Sequence, residues 1–225
     1  MCVPLDRLVI RGFDLIELHN IDCMEAMKEM PDQAFDLAIV DPPYGIGASR
    51  SIGKEARQTL SYALITDKRW DNLRADKPYF DELFRVSKNQ IIWGANYFTD
   101  KLPPRMGWIC WYKTSSCKGR TFSEMELAFT SFEVAARHFE YSPFQKNGSR
   151  IHPTQKPVKL YEWLLKNYAK EGDKIIDTHL GSGSIAIACY NMGYSLTGYE
   201  IDVEYYEAAK NRLEEHKRQE KMVFV

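Results

Sequence analysis

The sequence predicts an α/β fold in which helices cover the faces of a sheet. Short apolar runs typical of buried strands alternate with stretches of helical periodicity along most of the chain. The 225 residues are 44% hydrophobic with only 13 Gly and 10 Pro, which excludes disordered, collagen-like and low-complexity chains. This length and composition predict a single domain over residues 1–225.

The individual elements follow from the period of the apolar residues. Strands are predicted over residues 15–21, 35–40, 90–93, 108–112, 125–130, 174–178 and 194–200. Helices are predicted over residues 24–30, 79–86, 157–169, 184–192 and 203–220. Residues 46–77 are rich in Ser, Gly, Lys and Arg and predict a long loop, and long loops within a domain are usually functional.

Several classes of protein are disfavoured by the composition. No window approaches the roughly 18 to 20 uninterrupted apolar residues of a membrane span, and the first residues lack the basic start and apolar core of a secretory signal. A cytoplasmic location without a membrane partner is therefore expected. The five cysteines are odd in number and form no Cys-x-x-Cys pair, so neither a disulfide framework nor a zinc ribbon is indicated and no metal is expected.

The charge is unevenly distributed along the chain. The net charge is only -1, yet residues 101–160 hold ten basic and four acidic side chains, which leaves the rest of the chain at -7. Clustered Lys and Arg suit a surface that faces a polyanion, although a merely solvated surface would look the same. The basic residues best placed to contact phosphate are Lys113, Lys118, Arg120, Arg137, Lys146 and Arg150. Aromatic residues interleave with them, at Trp111, Tyr112, Phe122, Phe139 and Tyr141, as a stacking surface for bases requires.

A glycine turn joins a predicted strand to a predicted helix. Asp177 lies near the end of the strand, and Gly181-Ser182-Gly183 directly precede the helix. Glycines let the backbone approach a ligand closely, and a helix start offers free N–H groups. Glu200 stands 17 residues after Gly183, at the end of the next strand, where a carboxylate can accept hydrogen bonds from ribose hydroxyls. These residues predict a site for a nucleotide-like ligand.

A proline pair follows the buried strand over residues 35–40. Asp41-Pro42-Pro43-Tyr44 removes two backbone donors and fixes two φ angles, so that carbonyls at this strand end are left as rigid acceptors. A carboxylate before the prolines and an aromatic ring after them form an acceptor pair beside a stacking surface. The Asp41 side chain and the Pro42 carbonyl could each accept one N–H of an exocyclic amino group while Tyr44 stacks on the heterocycle. These four residues are the predicted catalytic residues.

The two motifs together resemble the amino-group methyltransferases of DNA, which transfer a methyl group from S-adenosylmethionine to adenine N6 or cytosine N4. Because the catalytic tetrapeptide precedes the glycine turn, the chain is most similar to the circularly permuted beta group. This resemblance implies a Rossmann-like methyltransferase fold with a mostly parallel sheet, an antiparallel strand and helices on both faces. It further implies S-adenosylmethionine as the cofactor and DNA as the partner, with residues 46–77 and 113–150 as loop insertions that contact DNA.

Three further segments carry the resemblance, which spans about residues 22–200. The segment Asn20-Ile21-Asp22-Cys23 matches the strand end that contacts the cofactor adenine in this group, which implies that Asp22 and Cys23 bind the cofactor. The segment at residues 152–157 is similar to one beside the methionine end of the cofactor, which implies the same role for Thr154 and Lys156. Residues 92–98 resemble the segment that supports the target-base pocket.

One motif departs from the family pattern. The cofactor motif commonly begins Asp-Pro-Phe, whereas this chain has Asp177-Thr178-His179, so His179 is expected to be a turn histidine without a catalytic role. Asp at position 41 resembles the adenine-directed members, which favours adenine N6 over cytosine N4. A base-flipping mechanism is expected because the amino group of a paired base is engaged in the duplex. A homodimer and a cognate restriction nuclease are further expected partners.

Three other interpretations stay open on the sequence. Gly181-x-Gly183-x-x-Ala186 also satisfies the dinucleotide fingerprint, so a nicotinamide-dependent oxidoreductase shares these residues. Glutamine and guanine methyltransferases also use a Pro-Pro-Tyr site. In those enzymes, however, Asn precedes the prolines and the whole motif follows the cofactor loop. A non-catalytic DNA-binding module is the third, and it would not need an intact acceptor tetrapeptide.

Overall fold

A single eight-stranded sheet organises the protein. The computed structural model describes residues 15–46, 73–119, 123–144, 151–152 and 154–223. The strands are β1 (Ile16–His19), β2 (Phe35–Val40), β3 (Ser87–Trp93), β4 (Trp108–Tyr112), β5 (Met125–Thr130), β6 (Arg137–Glu140), β7 (Lys174–Asp177) and β8 (Ser195–Tyr199). The helices are α1 (Cys23–Lys28), α2 (Lys77–Val86), α3 (Val158–Tyr168), α4 (Ser184–Met192) and α5 (Val203–Val223).

The strands lie in the order β1-β8-β7-β2-β3-β5-β4-β6. Strands β1, β8, β7, β2 and β3 pair in parallel, whereas β5 runs antiparallel to both β3 and β4. The predicted α/β sheet with one antiparallel strand is therefore confirmed. Because the parallel strands all end at the same edge, the residues that follow them are brought together there.

Helices cover both faces of the sheet, as predicted. Alternate residues of β2 enter opposite cores, with Leu37 and Ile39 packing against α3, α4 and α5, and Ala38 and Val40 against α1 and α2. A strand buried on both faces requires a continuous apolar run, which explains the sequence of β2. None of the helices in the described residues has the length and apolar composition that a bilayer span requires.

The structure differs from the sequence prediction at two places. Segment 113–150 holds the predicted strand β5 and also the edge strand β6, which was missed because its residues, Arg-His-Phe-Glu, are mostly charged or polar. Helix α2 begins at Lys77, two residues early, since the Asp76 side chain accepts the backbone N–H of Tyr79 and caps it. Most of the predicted loop at 46–77 lies outside the described residues, as do 120–122 and 145–150.

Candidate active site

Four neighbouring parallel strands carry carboxylates at their carboxyl ends. Asp22 follows β1, Glu200 follows β8, Asp177 ends β7 and Asp41 follows β2. We call these four residues the acidic edge. A row of oxygen acceptors at one edge of a sheet suits a ligand that is rich in N–H and O–H donors.

The glycine turn lies in the middle of the acidic edge and is held by Glu200. The backbone N–H of Gly181 donates to Glu200 Oε2 at 2.8 Å, and that of Asp202 donates to Oε1 at 3.0 Å. Gly181 and Gly183 have φ angles of +52° and +67°, and a Cβ added at Gly183 would lie 3.0 Å from the Cβ of Ala209. Both positions therefore favour glycine. Helix α4 begins directly afterwards without a side-chain cap, so its first backbone donors are available to a ligand.

Arg212 of α5 stabilises the same turn through hydrogen bonds. Its Nη1 donates to the carbonyl of Ser182 at 2.7 Å and to Ser184 Oγ at 2.9 Å. Burial lowers the pKa of Arg212 to about 10, which still leaves the guanidinium charged at neutral pH. A charged hydrogen bond to a loop carbonyl fixes the turn more firmly than a neutral one would. Arg212 was not among the predicted site residues, because the regular pattern of α5 indicates only a helix that packs on the sheet.

The proline tetrapeptide leaves one carbonyl available. The carbonyl of Pro43 accepts the backbone N–H of Ala75 at 3.1 Å, whereas no donor to the Pro42 carbonyl is found among the described residues. The Tyr44 hydroxyl donates to Asp41 Oδ1 at 2.5 Å. The pKa of Tyr44 is raised well above its ordinary value, mainly by burial and to a lesser extent by the nearby carboxylates of Asp41 and Glu126. The phenol therefore keeps its proton and acts as a donor.

The ring of Tyr44 is held in a defined orientation. It stacks on Tyr97 with ring centroids 5.0 Å apart and planes inclined by 17°. Its other contacts include Gly94, where an added Cβ would lie only 2.0 Å from the ring carbon Cε1 of Tyr44. Arg74 fixes this arrangement, since it donates to the carbonyl of Tyr97 at 2.8 Å and pairs with Asp100 at 2.8 Å. The Tyr44 ring is therefore fixed in position beside Asp41, and its stacking on a base stays a prediction.

Lys156 lies at the tetrapeptide. Its ammonium contacts Asp41 Oδ2 and lies 3.1 Å from Glu126 Oε2. Glu126 Oε1 in turn lies 2.5 Å from Lys113 Nζ. Burial alone would raise the pKa of Glu126, but the two lysines outweigh it and lower that pKa to about 2. The same balance, with the two carboxylates outweighing burial, raises the pKa of Lys156.

The segment around His152 joins the two motifs. The His152 ring lies against the glycine turn, with its Cδ2 3.8 Å from a Cβ built at Gly181, while Lys156 reaches Asp41. Thr154 is exposed, and its hydroxyl lies 3.1 Å from His152 Nδ1. The structure therefore brings the two predicted motifs to one place at the sheet edge, with this segment between them.

A comparison with known families decides the class of protein. The model of the DNA methylase family of N6 and N4 methyltransferases matches residues 92–211, which is more than half of the chain. The chain belongs to this DNA methylase family. The type II methyltransferase M.HpaI of Haemophilus parainfluenzae is 26% identical over 237 residues, covering 86% of this chain and 72% of that protein.

Solved structures show the same fold. The M1.HpyAVI–SAM complex superposes with a TM-score of 0.56 at 19% identity, covering 88% of this methylase and 98% of that chain. The cytosine-N4-specific PvuII DNA methyltransferase superposes with a TM-score of 0.60 at 13% identity, covering 87% and 85%. The Rossmann-like methyltransferase fold expected from the sequence is confirmed.

His179, where this methylase departs from the usual Asp-Pro-Phe motif, belongs to a hydrogen-bonded chain. The Tyr79 hydroxyl lies 2.7 Å from Thr178 Oγ1, which lies 2.9 Å from His179 Nδ1. Burial lowers the pKa of His179 to about 4, so the imidazole is neutral at physiological pH.

Burial also raises the pKa of the neighbouring Cys23 thiol to about 12, so that thiol is neutral as well. The predicted cofactor residue Cys23 therefore offers the methylase apolar packing beside Asp22.

Part of the predicted phosphate-binding surface is internal in the methylase structure. Lys113 is buried against Glu126, and Trp111 is buried in the core. Arg137 donates to Asn167 at 2.9 Å. Lys118 is exposed, whereas Arg120, Lys146, Arg150 and Phe122 lie outside the described residues. The assignment of Lys113 to a phosphate contact was wrong, because sequence alone does not show that a basic residue next to a strand pairs with a carboxylate from the adjacent strand.

Asp177 gives this methylase a pH-dependent stability. The pKa of Asp177 is raised to about 8. Burial is the main cause, the carboxylates of Asp41 and Glu200 add to it, and the N–H donated by His179 opposes it. The folded protein then holds a proton that the unfolded chain, with an Asp pKa near 3.9, releases above about pH 4. The contribution to stability is complete below that pH and is lost as the pH rises through about 8.

Asp177→Asn is therefore expected to stabilise the cofactor-free protein at high pH only. The amide keeps an acceptor for the His179 N–H and carries no charge. The free energy of unfolding should match that of the wild type below about pH 4 and exceed it by an amount that grows to about 5 kcal/mol above pH 8, because each pKa unit of the shift corresponds to about 1.4 kcal/mol. Urea titrations across this range, followed by circular dichroism, measure the difference. A difference that does not change with pH would contradict the assignment.

Proposed function

We propose that this chain transfers a methyl group from S-adenosylmethionine to the exocyclic amino group of a flipped DNA base, adenine N6 in preference to cytosine N4. The observation that carries the proposal is the position of the tetrapeptide. Strands β2 and β7 are neighbours, so Asp41 and the Pro42 carbonyl, which has no donor within the described part of the chain, lie beside the glycine turn. Two acceptors and an aromatic ring next to a nucleotide-type turn suit an amino group on a flat heterocycle.

The acidic edge fits S-adenosylmethionine. Gly181 and Gly183 adopt left-handed conformations that keep the turn free of side chains, and the Arg212 guanidinium fixes it. Glu200 and Asp22 provide carboxylates for ribose hydroxyls and an adenine amino group. When bound, this cofactor supplies a methyl group that is already activated by its sulfonium. Serine, histidine and threonine side chains at Ser182, His152 and Thr154 complete the surroundings.

The catalytic work of the protein is mainly positioning. Asp41 and Pro42 each accept one N–H of the target amino group, which directs the nitrogen lone pair and orders the base in one geometry. Tyr44 and Pro43 fix the plane of the base and the direction of the carbonyl. The target nitrogen would form its new bond to the methyl carbon as the carbon–sulfur bond of the cofactor breaks, so that a neutral thioether leaves with the electron pair of that bond. The nitrogen would then release one proton to water. Extruding the base costs a few kcal/mol, which phosphate contacts have to offset.

The preference for adenine rests on Asp41, which resembles the adenine-directed members of the family. Cytosine N4 is the second candidate, because a cytosine presents the same amino group beside a ring nitrogen and the cytosine-specific PvuII enzyme shares the fold. A homodimer, a cognate restriction nuclease and the cytoplasmic location stay predictions. Target contacts from residues 46–77 also stay a prediction.

One assay tests the reaction, the cofactor and the base together. The protein is incubated with S-adenosylmethionine carrying a labelled methyl group and with DNA of mixed sequence, and the DNA is then digested to nucleosides. Labelled N6-methyladenine is the expected product. N4-methylcytosine would overturn the choice of base, and the absence of any labelled nucleoside would overturn the proposed function. NAD binding by calorimetry in place of S-adenosylmethionine would favour an oxidoreductase instead.

Glu200→Gln is expected to weaken cofactor binding without affecting the chemical step. Glutamine has one acceptor oxygen, so it cannot hold both the Gly181 and Asp202 N–H groups and still accept from ribose. Because a hydrogen bond to a charged group contributes about 1.5–3 kcal/mol, the Kd for S-adenosylmethionine should rise at least about 10-fold. Calorimetry measures the Kd, and kcat at saturating cofactor should stay within about 3-fold of the wild type.

The matched control for this variant is Glu207→Gln, which removes the same charge from an exposed position on α5. Its Kd should equal that of the wild type. Equal Kd values for the two variants would remove Glu200 from the cofactor site.

A further inference from the structure

Two buried lysines and two partly buried carboxylates form a row that ends at Asp41. The row consists of Lys113, Glu126, Lys156 and Asp41, and we call it the charged row. Both oxygens of Glu126 are occupied, Oε1 by Lys113 at 2.5 Å and Oε2 by Lys156 at 3.1 Å. The charges cancel within the row, and the Lys156 side chain is only 2% exposed.

Stability alone is a weak explanation for this arrangement. Removing charges from water costs several kcal/mol per ion, and apolar side chains of similar volume are often as stabilising as a buried ion pair. The charged row nevertheless lies next to the aromatic core, with Lys156 Nζ 5.4 Å from the ring centroid of the fully buried Trp93. The Lys156 ammonium is buried and contacts Asp41, the residue that follows β2, so its position indicates a role at Asp41.

The two oxygens of Asp41 have different partners. Lys156 contacts Oδ2, while the Tyr44 hydroxyl donates to Oδ1. Lys156 is fixed because it is buried and because Glu126 holds it from a second side. Tyr44 is less buried, and a phenol O–H donates to the carboxylate in the same manner as an amino N–H would. A target amino group can therefore reach Asp41 most readily at Oδ1.

We propose that Lys156 is a positioning residue that acts through Asp41: its ammonium, anchored by Glu126, holds Oδ2 and leaves Oδ1 to receive the target amino group. This inference rests on the proposed function, in which Asp41 is the acceptor. It differs from the role that the family resemblance implies for Lys156, which is contact with the cofactor. Two of the three N–H donors of this ammonium are already engaged by carboxylates, and its side chain is only 2% exposed.

The experiment compares Lys156→Met with Lys159→Met as the control. Lys159 lies only three residues away in sequence, but it is exposed and pairs with Glu162. For Lys156→Met we expect kcat to fall about 100-fold, because a misplaced acceptor loses its alignment with the nitrogen. The Kd for S-adenosylmethionine should stay within about 2-fold of the wild type. Lys156→Arg, which keeps the charge, should recover part of the lost kcat, and Lys159→Met should match the wild type.

Glu126→Gln keeps the inference testable if Lys156→Met does not fold. It retains the contact between Lys156 and Asp41 but removes the anchoring charge, so we expect kcat to fall about 10-fold with the cofactor Kd unchanged. Melting temperatures of all variants identify those that are merely unstable. The proposed function fails separately, since in that case the wild type itself produces no methylated nucleoside.

Two results would overturn the inference while the wild type is active. The first is a loss of cofactor affinity in Lys156→Met and Lys156→Arg in proportion to the loss of turnover, which would make Lys156 a cofactor ligand. The second is a wild-type kcat in Glu126→Gln, in Lys156→Arg and, if it folds, in Lys156→Met. That result would show that the charged row is only a structural element.

Discussion

Asp41→Ala is expected to lower methyl transfer about 10³-fold while S-adenosylmethionine binds with an unchanged Kd. The variant removes the carboxylate that accepts an N–H of the target amino group, and removal of one positioned hydrogen-bonding group typically costs 10²–10³ in kcat. The glycine turn is untouched, because Glu200 and Arg212 hold it independently of Asp41. Single-turnover assays with labelled cofactor measure the transfer rate, and calorimetry measures the Kd.

The control for this variant lies on the same strand. Asp36 stands at the opposite end of β2, where it pairs with Lys88 at 2.7 Å and accepts the backbone N–H of Lys174. Asp36→Ala should therefore lower the melting temperature slightly and leave kcat unchanged. Asp41→Asn should be intermediate, since it keeps one acceptor oxygen but loses the charge that faces Lys156. Wild-type turnover by Asp41→Ala would refute the proposed mechanism.

The two motifs of the site could be predicted from sequence because their geometry is local. A strand, a glycine turn and a helix specify where backbone donors point, and two prolines specify where backbone donors are missing. The position of Glu200 could also be predicted locally. It directly follows β8, and the carboxyl ends of parallel strands lie at the same edge of the sheet. Its bond to the Gly181 N–H was not predicted, since it depends on the contact between two loops.

The charged row could not be predicted, because it depends on strand order. Lys156 and Asp41 are 115 residues apart in sequence. Glu126 reaches them only because β5 pairs with β3 in the antiparallel sense, which places the first residues of β5 at the edge where β2 and β3 end. An antiparallel strand in a parallel sheet leaves no signal in a single strand's pattern. The sequence therefore identified Lys113 and Lys156 as basic residues but not their shared partner.

The edge strand β6 shows the same limit from a different cause. Within the described residues it pairs only with β4, and its side chains are largely exposed, so no alternation of apolar and polar residues marks it. Helix boundaries were off by one or two residues where a side-chain cap decided them, as at Asp76. Buried elements were found from their period, whereas elements fixed by a partner required the structure.

Gly94→Ala is expected to reduce methyl transfer at least about 100-fold, because it displaces the Tyr44 ring. An alanine Cβ at this position would lie 2.0 Å from Tyr44 Cε1 and 2.3 Å from Cζ, closer than any non-bonded contact allows. The ring cannot move away freely, since Tyr97 stacks on it and Phe98 packs against it edge-on. Tyr44 must then give up its hydrogen bond to Asp41 and its place as the stacking surface. Steady-state assays with saturating DNA and cofactor measure the effect.

Gly193→Ala separates this clash from backbone strain. Gly193 also adopts a left-handed conformation, with a φ angle of +75° against +66° at Gly94, but an added Cβ there would meet nothing within 4 Å. Both variants should lose about 1–2 kcal/mol of stability to the left-handed backbone. Only Gly94→Ala should lose activity, and its cofactor Kd should stay unchanged because the glycine turn belongs to a different strand. Equal activities for the two alanine variants would show that the position of the Tyr44 ring does not matter for transfer.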